Sequence, residues 1–257
     1  MVEWINMELL PIVALHAALT LFWVLVGTKL PSLDSWYVVR KLAAVTGIEE
    51  AVRVCAEKGK PIIYSVGFTG IRYVRASMLY HTTAGVAKYL GRACGELNVP
   101  LICTTSAPDM NMILQDYSRQ GFLEAGHPER FNPNNYYFLA QIGAQQMVEV
   151  ELIKRLQVGA YLPLIQHSWG HHLACMDQAA RVGAIQVGSE CDITDLLVTA
   201  INADYLAIAD EQYAMGAYMS EDREAIGSVI GTDFFKIFYI ALLCLATILF
   251  VAGVDIF

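Results

Sequence analysis

Apolar residues follow two patterns along this chain. Near the ends lie two long, almost unbroken apolar runs, "LLPIVALHAALTLFWVLVG" at 9–27 and "FKIFYIALLCLATILFVAGV" at 235–254. Each approaches the roughly 20 apolar residues that a helix needs to cross a hydrocarbon core. The pattern therefore predicts one N-terminal and one C-terminal transmembrane helix. The N-terminal "MVEWINMELLP" carries two glutamates and no Lys or Arg, and no A-x-A-like site follows the run. That flank reads as a signal anchor rather than a cleaved signal peptide.

Between the two runs, over 41–232, short apolar stretches alternate with helical ones. The short stretches are "KPIIYSVG", "VPLICTTS", "NYYFLA", "AYLPLIQHS", "AIQVGSE" and "DYLAIADE". Helix-length segments such as Leu42–Lys58, Ile142–Gln157 and Ile193–Asn202 separate them. Apolar runs of this length, spaced by helices, predict βαβ units and an α/β, Rossmann-like fold. Its largely parallel sheet would be buried by helices on both faces. Pro108 is placed to open a helix, and Gly126 and Gly183 to supply left-handed turns after helices. Asp192, with Asp195 three residues on, is placed as a helix cap. Pro163, inside "AYLPLIQ", removes a ladder donor, which predicts a strand that is bulged, short or at an edge.

Composition adds location. The hydrophobic fraction is 56%, charged residues make up 16%, and mean hydropathy is +0.43, all displaced from ordinary globular usage. Lys29, Arg40, Lys41 and Lys236 flank the runs on the side of the central domain, whereas Glu3, Glu8 and Asp255 flank them outside. By the positive-inside rule the domain faces the cytoplasm from the cytoplasmic (inner) membrane, with both termini on the opposite side. The expected partners are the lipid bilayer, through the two transmembrane helices, and a homo-oligomer or membrane-protein complex. Six cysteines without C-x-x-C spacing fit reduced thiols. A net charge of −8 with no basic stripe argues against nucleic acid.

In an open parallel sheet, ligands bind beyond the carboxyl ends of the strands. The residues expected on that rim are Gly67 and Thr69, then Thr104, Thr105 and Ser106, then His167 and Ser168, then Glu190 and Asp210. They are the candidate ligand-binding residues, although turn and cap chemistry also places such residue types there. "GFTGIR" could hold an anion on backbone amides, but lacks the G-K-[ST] of a phosphate loop and the G-x-G-x-x-G of a dinucleotide fold. "QHSWGHH" at 166–172 holds half of the six histidines. A metal site there would use His167 and His171; adjacent His171 and His172 diverge by about 100° on a helix, and the spacing matches no zinc pattern. The main expectation is no metal and no cofactor. Ser168 lacks the G-x-S-x-G elbow. His16, inside the first apolar run, is expected to bond a neighbouring helix.

The stretches "GKPIIYSVGFTG", "VPLICTTSAPDMNMILQDYSRQGFLEAGHPERFNP", "AIQVGSECDITDLLVTAINADYLAIADEQYAMGAYMS" and "GSVIGTDFFKIFYIALL" occur in this order over about two-thirds of the chain. In that order they resemble a family of bacterial and archaeal membrane-anchored α/β proteins known only as a domain of unknown function. The resemblance implies architecture and supplies no reaction, cofactor or site residue. The family's counterpart of "LIQHSWGHHLA" is Gly/Ser-rich, so the resemblance does not make the histidines a shared centre.

The function expected from these readings is a membrane-anchored, non-catalytic scaffold or accessory subunit that assembles with itself or within a membrane complex. Tyr213, Met215, Tyr218 and Met219 suit such contacts. The alternative is a small-molecule or nucleotide binder, or a hydrolase, working at the strand-end rim.

Overall fold

The computed structural model describes residues 14–19, 21–22, 25, 41–67, 80–164, 172–190, 193–208, 211–220 and 223–251. The chain divides into two compact units, Arg40–Ser220 and the pair Met1–Val39 with Glu221–Phe257.

The larger unit is an alternation of helices and strands. In chain order it contains α1 (Ala43–Lys58), β1 (Ile62–Ser65), α2 (Tyr80–Leu97), β2 (Leu101–Thr105), α3 (Pro108–Glu124) and β3 (Tyr136–Phe138). Then follow α4 (Ile142–Leu156), β4 (Ala160–Pro163), α5 (Leu173–Arg181), β5 (Ile185–Glu190), α6 (Ile193–Asn202), β6 (Tyr205–Ile208) and α7 (Glu211–Ser220). The six strands form one sheet in the order β3-β2-β1-β4-β5-β6, with every neighbouring pair parallel. This is the doubly wound order, in which the winding direction reverses between β1 and β4.

Side-chain alternation sorts the helices onto two faces. Ile62 and Tyr64 of β1 join a core with α1, α2, α3 and α7 through Ile48, Leu90, Leu114 and Met215. Ile63 of the same strand joins a second core with Ile153 of α4 and Met176 of α5. A strand with apolar residues on both sides needs helices on both sides, because each fully buried aliphatic side chain contributes about 1.5–3 kcal/mol.

Local chemistry sets several joins. Pro108 is the first residue of α3, where its missing N–H is harmless. Gly59, Gly126 and Gly183 follow helices with φ of 62°, 76° and 67°, the left-handed region that glycine enters without strain. Pro163 belongs to a central strand, between β1 and β5, rather than an edge. It is tolerated as the last residue of a strand of four, and the ladder resumes with Leu164 N donating to Ser65 O at 3.2 Å. The expected Asp192 cap lies outside the described residues.

The expected pair of transmembrane helices, 9–27 and 235–254, is not seen. Among the described residues no helix is long and apolar enough to cross a membrane. In the smaller unit, α8 (Arg223–Val251) carries Arg223, Glu224, Asp233 and Lys236 in its first half. Lys236 therefore lies inside the predicted run 235–254. Of the first run, only 14–19, 21, 22 and 25 lie within the described residues, and these are helical. The anchoring and orientation argument built on two spans loses that foundation. Within this unit His16 stacks on Phe235 with ring centroids 4.0 Å apart, and its Nδ1 lies 3.2 Å from Tyr239 Oη.

Helices α2 and α3 cross at a pair of glycines. A Cβ on Gly91 would lie 2.2 Å from Ser118 O, and one on Gly121 would lie 2.1 Å from Lys88 O. Backbone carbonyls cannot step aside as side chains do, so overpacking outweighs the helix-propensity gain of about 1 kcal/mol. Gly121→Ala is expected to lower stability by about 1–3 kcal/mol. Gly143→Ala, at the open start of α4 where a Cβ meets nothing within 4 Å, is expected to be neutral or to stabilise by up to about 1 kcal/mol. Urea unfolding of both variants checks the contrast.

Candidate functional site

The strand ends near the reversal of winding carry the most distinctive polar chemistry in the described fold. Glu149, in the middle of α4, is 2% exposed. Its Oε1 accepts hydrogen bonds from Ser65 Oγ at 2.8 Å, Thr104 Oγ1 at 2.5 Å and Gln145 Nε2 at 2.8 Å. Its Oε2 accepts one from Tyr161 Oη at 2.8 Å. Gln145 Nε2 also reaches Ser65 Oγ at 3.3 Å. One carboxylate thus binds α4 to β1, β2 and β4 together. A buried acidic group is tolerated only when its lone pairs are satisfied, and here four neutral donors do so. The same environment holds the Tyr161 hydroxyl well above its ordinary pKa, first through burial and then through Cys175 and Glu149.

Immediately above this knot, the turns after β1 and β2 are fastened to each other. Gly67 has φ 41°, and its carbonyl accepts from Ser106 Oγ at 2.9 Å and Ser106 N at 3.2 Å. Thr105 Oγ1 accepts from Ala107 N at 3.1 Å, closing a small hydroxyl turn. The positive φ at Gly67 turns its carbonyl towards Ser106, a conformation that a Cβ would strain.

The sequence candidates therefore separate. Gly67, Thr105 and Ser106 come together at the rim, while Thr104 turns away from it to bond Glu149. Glu190 ends β5, two strands from β1, and is buried. Thr69, His167, Ser168, His171 and Asp210 lie outside the described residues. His172, the one described member of the histidine cluster, is 2% exposed, with Nε2 2.8 Å from Thr199 Oγ1 of α6. It is a packed histidine that joins the start of α5 to the second half of α6. Among the described residues no group of three or more His, Cys, Asp or Glu could hold a metal ion.

The buried cysteines are poor nucleophiles. Burial pushes the Cys55 thiol up to about 12, and it raises those of Cys94, Cys103 and Cys175 as well. A thiol held protonated does not attack.

Sequence reasoning missed Glu149 and Gln145 because helix α4 inverts the usual pattern. Its buried stripe is Gln145, Glu149 and Ile153, while Met147 is 73% exposed. The available signal was the pair of hydroxyls, Ser65 and Thr104, at the ends of otherwise apolar strands. Such hydroxyls, next to a helix, require a polar partner.

Removing the carboxylate would strand four buried donors. Glu149→Ala is expected to cost about 3–5 kcal/mol. Glu149→Gln, which keeps one acceptor and can use its amide towards Tyr161 Oη, is expected to cost markedly less. Chemical denaturation of the two variants measures the difference; equal losses would show that the hydrogen bonds contribute little.

No curated protein matches the chain, and no solved structure matches it. The whole chain, residues 1–257, matches the family described as Domain of unknown function (DUF6754). The chain belongs to that family.

Proposed function

We propose that this protein binds a small organic molecule, of the nucleoside or nucleotide class, at the carboxyl edge of its sheet. The observation that carries the reading is the strand order. With β1 and β4 adjacent and followed in sequence by helices on opposite faces, this edge has the arrangement at which doubly wound sheets form a ligand crevice. Two further features support it. Gly67, Thr105 and Ser106 come together at this end of the strands. In this reading the Gly67–Ser106 clasp presets one wall of such a crevice. Pre-set walls favour binding because less ordering is required of the protein. The buried thiols and the fully engaged Glu149 favour binding over nucleophilic chemistry.

Hydrogen exchange read by mass spectrometry tests the site. With millimolar panels of nucleosides, nucleotides and small carboxylic acids, the expected result is slowed exchange at Gly67 and Thr104–Ser106 with a nucleoside or nucleotide. Protection confined to other segments, or to no segment with any compound, would sink the reading.

Self-assembly as a scaffold or accessory subunit is a second reading, supported by a separate surface. On α6, Leu197 and Ile201 are 73% and 82% exposed and lie one turn apart. They stand beside β6, the outer strand of the sheet. Paired apolar side chains next to an edge strand suit contact with a second copy. Mass photometry should then show a multimer that Leu197→Asp converts to protomers. A wild-type chain that stays monomeric at every concentration would refute this.

A further inference from the structure

Gln212 is another buried polar residue, and it differs from Glu149 in one respect. It is fully buried, yet neither its Oε1 nor its Nε2 has a hydrogen-bond partner. Among the described residues it is the one side chain with both polar atoms in that state. Such a group bears its full desolvation cost with nothing in return, so it calls for an explanation.

Its position supplies one. Gln212 is the second residue of α7, just past the carboxyl end of β6. It shares a helical stripe with Met215 and Met219, at i, i+3 and i+7. Those methionines belong to the core cluster that also contains Val66, just after β1, and Leu164, just after β4. Helix α7 runs along α2: Gly216 meets Thr82, where a Cβ would be 2.7 Å from the Thr82 Cα, and Tyr218 lies close enough to Tyr89 to raise its pKa. The start of α7 is tied to the carboxyl end of β6, where Ile208 N donates to Glu211 Oε2 at 3.1 Å. Every neighbouring strand pair is parallel, so Gln212 lies at the carboxyl edge of the sheet. Thr82, near the start of α2, lies on that same edge, because the other end of α2 leads directly into β2.

A leucine at 212 would complete the apolar stripe without penalty. A carboxamide there instead offers a donor and an acceptor side by side, a pairing that a planar ligand edge with the complementary pair satisfies at both atoms. Purine bases have such an edge, and glutamine pairs with it bidentately. Phosphate or carboxylate groups suit the position poorly. They would leave Oε1 unpaired, and the Glu211 carboxylate, accepting from Ile208 N at 3.1 Å, stands in the same first turn.

We propose that Gln212 reads the donor–acceptor edge of a purine base bound in the β1–β4 crevice. The proposal rests on the crevice being a ligand site. Binding of adenosine and of N6,N6-dimethyladenosine, which lacks the exocyclic donor, is compared on the purified 257-residue chain by calorimetry. Adenosine is expected to bind at least about tenfold more tightly than its dimethyl analogue. Gln212→Leu is expected to weaken adenosine about as much and to erase the discrimination. Its ligand-free unfolding midpoint should equal or exceed that of wild type, since no unsatisfied amide remains. Gln212→Met, unbranched and of similar volume, is measured alongside in case branching crowds Met215. Equal affinity for both nucleosides, unchanged affinity in both variants, or lowered ligand-free stability in both variants would overturn the proposal. If adenosine fails but another compound protects Gly67 and Ser106 from exchange, the base-reading role falls and the crevice stands. If no compound binds, both fall.

Discussion

The fold depends on satisfying one buried carboxylate from several elements at once. Glu149 lies between helix α4 and the sheet, and its four donors come from β1, β2, β4 and its own helix. None of these elements can shift without breaking a bond to a group that water does not reach. In low-dielectric surroundings a half-satisfied polar network is worse than an apolar contact, so such a knot favours a single arrangement. It fixes the strand ends where the winding reverses, and the Gly67–Ser106 clasp sits directly above it.

The strands are chemically graded along their length. Ile62 and Ile63 open β1, and Leu101 and Ile102 open β2, whereas Ser65 and Thr104–Thr105 close them. The apolar half packs against helices on both faces and supplies the stability. The polar half gives up apolar burial so that Ser65 and Thr104 donate to Glu149, while Thr105 and Ser106 fasten the turns above it. Gln212 continues that polarity onto α7 at a position that the apolar stripe would assign to a hydrocarbon.

The histidine-rich stretch illustrates how context alters a motif. As a string it suggests a metal centre, yet His172 is buried against Thr199. His167 and His171, the pair a metal site there would use, lie outside the described residues.

Much of the architecture was legible because it follows from short-range rules. Apolar runs of four to six residues between helix-length segments gave the alternation of strands and helices. Pro108, Gly126 and Gly183 marked joins through their own backbone preferences. Span length misled for 235–254, where a count of apolar residues passed over Lys236 and no described helix is long and apolar enough to cross a membrane. Of the candidate site, Gly67, Thr105 and Ser106 could be placed at strand ends from sequence, because a parallel sheet puts all its carboxyl ends on one edge. What only the tertiary structure decided was strand order, and with it the place where winding reverses. It also decided which face each side chain meets: Thr104 turns to Glu149, Met147 faces outward, and Gln212 faces inward with its amide unpaired. Those outcomes depend on partners far along the chain: Thr104 and Ser65 lie 45 and 84 residues from Glu149. Hydropathy and spacing describe a residue's neighbours in sequence; burial of a polar group is set by neighbours in space.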